Sequence, residues 1–444
     1  MNSQESDWQK KIREQFDSAP YPFIPIETSP KQDRNLLYIH NLMTVFYLRN
    51  QKIIDTNGKL ILDVGCGNGY TSLTLASANP GAKIVGIDLS EESIKIARQR
   101  LAYHNFDQTE FHAISLEEVS SLGYEFDYIN ADEILYLLPD ITAGLTAMKS
   151  VLKPAGIIRA NLHSLLERQA LYSAQKVFKM MGLMEENPGS FEIELVRETM
   201  NSLKDNVMLK AKVWTPYRST YEEEDNLVLM NLLLQGDKGF TIPDLFTVLR
   251  EANLEFISMV QWRQWELLDL FQHPENLPAF LAMSLPEISL EERLHLFELL
   301  HPIHRLLDFW CGHPNRNISL TALETWSDDQ WYEARVFLHP QLKTPEIKQD
   351  LINSIENHTD FNISRYISLP TKAPIMLDNM RAACLLPLWN GPCSVHNLVN
   401  HWLTIKPVNP ITLEPTSPDD GWLEVKKLVS QLESFLYLLI EPGV

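Results

Sequence analysis

Between residues 59 and 164, short apolar runs alternate with stretches whose apolar positions recur every three or four residues. The runs "LILDVG" (60–65), "AKIVGIDLS" (82–90), "TEFHAIS" (109–115), "FDYINAD" (126–132) and "GIIRANLHS" (156–164) have the length and composition of buried strands. The intervening "YTSLTLASA" (70–78), "EESIKIARQRLAYH" (91–104) and "ITAGLTAMKSVLKPAG" (141–156) carry helical spacing. Ser90 is placed to cap the second of these, with Glu91 and Glu92 in its first turn. Strands alternating with helices of this length predict an α/β fold built on a doubly wound, mostly parallel sheet.

The pattern differs on either side. An amphipathic helix is expected over residues 8–16, and prolines at 20, 22, 25 and 30 then force an extended arm. Residues 35–50 read as a helix that packs on the next unit. After 164 the alternation stops, and 165–235 is helical in pattern apart from a break at "ENPGS" (186–190). A helix and a strand resume over 239–262, so 165–235 reads as a helical insert, or lid, between two parts of one sheet domain. The expected organisation is an N-terminal helix and arm (1–50), a core (51–164 and 236–265), the insert (165–235), and a helix-rich C-terminal domain (266–444). The last of these ends in a long amphipathic helix whose buried end is "FLYLLI" (435–440).

Charge narrows the partners. The 444 residues carry 58 acidic and 38 basic side chains, a formal net charge of -20. Such a surface repels phosphate backbones and anionic membranes, so neither nucleic acid nor membrane is an expected partner. No run is long enough to span a bilayer, and the first residues lack the apolar centre of a signal peptide. Four cysteines without framework spacing suit a reducing, cytoplasmic setting. A homodimer is compatible with all of this.

The loop "GCGNGY" (65–70) carries the first chemistry. A dinucleotide turn would place a third glycine where Tyr70 stands. Asp63, two residues before the first glycine, suits a ligand with a positive end better than a diphosphate. S-adenosylmethionine has such an end and no phosphate. Asp88, at the end of the second strand, can hold ribose hydroxyls in either kind of ligand.

Taken in order, "LDVGCGNGY", "VGIDLS", "FDYINADEILYLLPD" and "LKPAGIIRANLHS" resemble the successive motifs of class I S-adenosylmethionine-dependent methyltransferases. The resemblance implies a Rossmann-like core and methyl transfer from S-adenosylmethionine. Its arm, insert and additional C-terminal domain resemble a bacterial subgroup that includes protein lysine methyltransferases. It further implies that Gly65, Cys66, Gly67 and Gly69 form the loop against the methionine part. Asp63 would orient the amino group, and Asp88 with Leu89 would meet the ribose. The aspartate that family members often carry after the third strand is replaced here, so Leu116 and Glu117 are expected near the adenine. Asn130 and Ala131 would line the transferring-methyl side.

Methyl transfer from a sulfonium needs positioning, desolvation and, for a protonated nucleophile, a base. Acceptor-side candidates follow the fourth and fifth strands: Asp132, Glu133, Tyr136 and His163. His163 is the candidate base, its plainer reading being a helix cap. Glu133 is a base or a reader of substrate charge, and Asp132 a helix cap. Tyr21, on the arm, stacks on the cofactor or points at the acceptor; the plainer reading is a proline strap that only covers the core. "NADE" (130–133) lacks the Asn/Asp-Pro-Pro-aromatic signature of enzymes that methylate planar amino groups. The expected acceptor is a small organic molecule with an N, O or C nucleophile, the alternative being a protein side chain of lysine type. His301, His304, Cys311 and His313 fit no common zinc spacing and read as a packed helix end.

Overall fold

The computed structural model describes residues 24–314, 323–409 and 412–442. Tyr21 and the helix expected over 8–16 lie outside the described residues. Five parallel strands form where the apolar runs stand: β1 Leu60–Val64, β2 Lys83–Asp88, β3 Thr109–Ala113, β4 Phe126–Ala131 and β5 Leu152–His163. Two more complete the sheet, β6 Glu255–Met259 and β7 Leu306–Gly312, in the spatial order β3-β2-β1-β4-β5-β7-β6. Only β7 runs against its neighbours. The chain leaves β1 towards β2 on one side and reaches β4 on the other, so a crevice opens at the carboxyl ends of β1 and β4.

Several boundaries move from their expected places. β7 belongs to the sheet although it lies beyond 265, where the core was expected to end. "LLDFWCG" is therefore a buried strand and not a helix end, and Cys311 pairs its backbone with both Ile158 and Phe256. The helix expected to reach Gly156 is Ile141–Ser150, because β5 already begins at Leu152 beside Phe126. "FLYLLI" is not a helix end either: the helix Pro418–Glu433 stops, and Leu438–Glu441 pairs antiparallel with Arg335–Leu338. Pairing that apolar stretch with a neighbouring strand satisfies its backbone on that side without a further turn of helix.

The 165–235 stretch contains the helices Gln169–Met180, Ser190–Ser202, Arg218–Glu223 and Asp225–Leu232. They enclose their own apolar cluster around Phe178, Val196, Met200, Trp214 and Leu232. A bridge between Ser164 and Phe240 closes its base. A second large core lies C-terminal, around a three-stranded sheet of Cys393–Ser394, Arg335–Leu338 and Leu438–Glu441.

The expected single helix over 35–50 is two, Arg34–His40 and Leu42–Asn50, broken at Asn41. Asn41 caps the second through Met43 N–H, and its amide donates to the Ala78 carbonyl at 2.6 Å. These two helices sit between the cores. Leu42, Val45 and Phe46 pack on the sheet side, while Tyr38 and Tyr47 enter the C-terminal core. Tyr38 Oη donates to the Phe435 carbonyl at 2.8 Å and Tyr47 Oη to Glu433 at 3.0 Å.

Candidate functional site

A cavity of about 570 Å³ opens at the carboxyl ends of β1, β2, β4 and β5. That volume lies in the range of pockets that enclose small ligands. One end is built by the glycine loop. Gly65 has φ +64, and a Cβ on it would stand 2.2 Å from Ile134 Cδ1, inside the lining. Gly69, at φ +81, is tighter against backbone: its Cβ would meet Ala97 Cα at 2.7 Å. Gly69 thus lets the helices Tyr70–Ala78 and Glu91–Tyr103 approach, and it does not line the cavity.

Asp88 ties this end together. Its Oδ2 accepts from Gly67 N–H and its Oδ1 from Ser90 N–H, both at 2.9 Å. Leu89, Ile114, Ser115, Leu116 and Glu117 continue the wall. Cys66 lines it too, but burial, reinforced by Asp88 and Asp63, pushes its thiol well above the usual range, so it is inert packing.

Asn130 and Ala131, expected as lining, lie behind the wall instead, and Asp63 lies there with them. Asp63 accepts from Ser72 Oγ at 2.6 Å and from Asn130 Nδ2 at 2.9 Å, and burial pushes its carboxyl up to about 6. Arg159 extends the network below. It donates to Asp308 at 2.8 and 3.1 Å and to His40 Nε2 at 2.8 Å. Since Arg159 can only donate, His40 is neutral and gives its Nδ1–H to the Leu36 carbonyl at 2.8 Å. Burial, then Arg159, lowers that imidazole to about 4. The floor of the cavity is a fixed polar layer, and its shape is set by satisfied bonds.

At the other end the structure brings His163, Glu133 and Tyr136 together. The Tyr136 and His163 rings stack with centroids 3.7 Å apart. Tyr136 Oη donates to Glu133 Oε2 at 2.8 Å, and His163 Nε2 lies 3.5 Å from the same oxygen. Glu133 holds a left-handed backbone, φ +58, with its N–H given to Asn161 Oδ1 at 2.9 Å. A non-glycine residue in that region is strained by about 1–3 kcal/mol, and its surroundings must over-determine it. Burial opposes ionisation of Glu133, yet His163 and Arg305 hold its carboxyl below the ordinary range.

Two partners here were not foreseen from the sequence. Asp237 Oδ1 stands 2.6 Å from His163 Nδ1, and Asp237 Oδ2 accepts from Arg168 at 3.1 Å and Gln175 at 2.9 Å. Burial would raise the Asp237 carboxyl, but its contacts with His163 and Arg168 hold it below its usual value. Arg305 bonds Glu133 through Nη2, and its Nη1 is 3.4 Å from His163 Nε2. Asp237 accepts from Nδ1, so that nitrogen carries a proton. Asp237 sits in the turn "QGDKG" and Arg305 in "HPIHR". Neither stretch has a pattern that sets it apart from an ordinary loop. Met230, Asn231 and Leu234, from the end of the insert, close the cavity over this cluster.

His304 and His313 take no part: His304 stacks on Trp265, and His313 contacts the Leu152 carbonyl at 3.1 Å. Among the described residues no group of His, Cys, Asp and Glu could hold a metal ion, and no helix is long and apolar enough to cross a membrane.

The fold and its crevice define a Rossmann-like α/β domain with a ligand-sized cavity at the strand ends. A family model described as a methyltransferase domain matches residues 55–225. A ubiquinone biosynthesis O-methyltransferase of Thiobacillus denitrificans is 30% identical over 176 residues, which is 38% of this chain and 73% of that protein. An uncharacterized protein of Synechococcus sp. is 25% identical over 324 residues, 72% of this chain and 74% of its own length. PKMT2 from Rickettsia typhi, solved alone and in complex with AdoHcy, shares the fold at TM-scores of 0.56 and 0.54. It is 17% and 18% identical in the two structures, over 94% of this chain and 76% of that one. The chain belongs to the class I S-adenosylmethionine-dependent methyltransferases. It is an enzyme that uses S-adenosylmethionine as methyl donor.

Proposed function

We propose that this methyltransferase methylates a small organic acceptor at a hydroxyl oxygen, with His163 as base and Asp237 as its orienting carboxylate. The observation that carries the reading is the 2.6 Å contact of Asp237 with Nδ1 of His163, a residue of the cavity lining. The name of the Thiobacillus relative, an O-methyltransferase, supports the same atom.

The lining fits the donor. Among the described residues, four carboxylates, Asp88, Glu117, Asp132 and Glu133, share the lining with one guanidinium, Arg305. A like charge about 4 Å away costs roughly 4 kcal/mol at an effective dielectric of about 20, so a diphosphate is disfavoured and a cation favoured. Gly65, Cys66 and Gly67 would hold the methionine part, Asp88 and Leu89 the ribose, and Leu116 with Glu117 the adenine. Asp63, Asn130 and Ala131 would act from behind, by fixing the loop and the end of β4. When bound, S-adenosylmethionine supplies an electrophilic methyl on a sulfonium, whose carbon–sulfur electrons stay on sulfur as the oxygen–carbon bond forms.

The chain's own part is proton handling and exclusion of water. Nε2 of His163 takes the hydroxyl proton, and Asp237 stabilises the imidazolium that results. Met230 and Leu234 cover the reacting end, and Tyr136 fixes the plane of the ring.

The test is purified enzyme with S-adenosylmethionine and two acceptor sets, catechols with hydroxybenzoates and lysine-bearing peptides, read by mass spectrometry. Oxygen-methylated phenols are expected, with His163→Asn lowering kcat about 10²- to 10⁴-fold and sparing S-adenosylhomocysteine affinity. Methylation of the peptides alone would replace this reading with the protein side-chain one.

A further inference from the structure

We propose that Asn161 is a positioning residue for methyl transfer: it locks the turn after β4, which carries Asp132 and Glu133, in place beside His163. The inference rests on the reading of His163 as the base and holds for either class of acceptor.

It begins with the alternation of β5. Side chains two apart on a strand share a face, so Arg159, Asn161 and His163 stand on one side. Ala160 and Leu162 enter the apolar core on the other. The three polar residues are buried, and Asn161 is wholly so. A wholly buried amide must find protein partners for its polar atoms. Those of Asn161 go to two consecutive residues of the cavity lining. Its Oδ1 accepts from Glu133 N–H at 2.9 Å, and its Nδ2 donates to Asp132 Oδ1 at 2.6 Å.

The chemistry of the two neighbours calls for an amide. Glu133 presents a donor and Asp132 an acceptor, so residue 161 must accept on one side while it donates on the other. An ionised aspartate cannot donate, and an aliphatic side chain does neither. Turning the amide over would set donor against donor and oxygen against carboxylate, so its orientation is fixed. The bond to Glu133 N–H secures a left-handed backbone, φ +58, that a side chain of this size rarely adopts. From Glu133 the hold passes to the base. Glu133 Oε2 accepts from Tyr136 Oη at 2.8 Å, and the Tyr136 ring lies on that of His163 with centroids 3.7 Å apart. Asn161 and the base thus share one rigid strand, and the turn between them is tied to it.

Asn161→Asp keeps the shape and still accepts from Glu133 N–H, but it sets a second carboxylate against Asp132 and forces the turn away. With catechol as acceptor, kcat should fall about 10²-fold while KM holds. Asn161→Ser, whose single short hydroxyl cannot span both partners, should lose kcat by about the same factor. Combining Asn161→Asp with Asp132→Asn exchanges the two groups. The amide at position 132 then donates to the carboxylate at 161, Glu133 N–H keeps its acceptor, and the net charge is that of the wild type. The exchanged enzyme should recover most of the lost kcat. Calorimetric titration with S-adenosylhomocysteine checks that each variant is folded, and an unchanged affinity is expected.

A wild-type kcat in either single variant overturns the inference and leaves the base standing. So does an exchanged enzyme that binds S-adenosylhomocysteine normally yet stays as slow as Asn161→Asp. Loss of that affinity in both single variants makes Asn161 a residue of general stability and overturns the inference too. Turnover confined to lysine-bearing peptides replaces the small acceptor, and the same comparison on the peptides then decides the role of Asn161. His163→Asn at the wild-type rate, or a wild-type enzyme that turns over no probe, overturns the parent reading and this one with it.

Discussion

Asp63→Asn removes a charge from beneath the site without changing the shape of the side chain. Asp63 is 1% exposed, and burial pushes its carboxyl up to about 6 although Ser72 and Asn130 both donate to it. The unfolded value is about 3.9. A carboxyl raised in the folded state contributes stability that is full below about pH 4 and is lost as pH rises through 6. One unit below 6, the folded protein favours protonation about tenfold, which is about 1.4 kcal/mol present at pH 5 and absent at pH 8. Asparagine titrates nowhere in this window. Its carbonyl still accepts from one neighbour, and the Ser72 hydroxyl can turn to accept from its amide. Urea unfolding of both proteins at pH 5 and pH 8, followed by tryptophan fluorescence, measures the difference directly, since the remaining titrating groups cancel. The variant should gain about 1.4 kcal/mol on the wild type between pH 5 and pH 8. A difference that stays flat, or moves the other way, refutes the claim that the fold holds a buried charge at 63.

Gly69→Ala should cost about 2 kcal/mol or more, from a left-handed backbone and a Cβ driven onto Ala97, and thermal unfolding would show it. In Asp237→Asn, the new amide must turn its oxygen to Arg168 and Gln175 and its NH₂ to His163. That forces the proton onto Nε2, so kcat should fall about 10²-fold or more with donor affinity unchanged in calorimetry. Tyr21 stands three residues before Ile24, whose carbonyl accepts from Arg100 at 2.6 Å; Arg100 also holds the Asn68 carbonyl of the glycine loop. Tyr21→Ala should therefore weaken S-adenosylhomocysteine binding several-fold in calorimetry and leave the melting temperature nearly unchanged.

The glycine-loop end of the cavity was legible because it is local in sequence. A buried strand, three glycines and an aspartate about twenty residues on form a spacing that few other structures require. β1 to β5 were legible for the same reason, each being an apolar run bounded by turn residues or a helix. The acceptor half was not. Asp237 and Arg305 reach His163 across 74 and 142 positions of chain. In a list of residues each is an ordinary loop polar group, and only the closure of the insert and the return of β7 bring them in. β7 itself was missed because a seven-residue apolar run after a long helical stretch fits a helix end equally well, and an antiparallel edge partner leaves no period of its own. Gly69, by contrast, was legible as necessary but for another reason: it serves helix packing, and the ligand space lies elsewhere.

The paired helices near the start of the described chain have a consequence for any attempt to shorten or recombine this enzyme. The sheet is complete at Gly312, which invites excision of everything after it. Yet Tyr38 and Tyr47 give their hydroxyls to Phe435 and Glu433 and pack within the core of that later part. A catalytic fragment cut there would carry two bare aromatic faces and melt early, and a grafted replacement would have to bring its own version of these helices. The two halves are therefore expected to unfold in one cooperative event and to be exchanged between relatives only as a set of three segments.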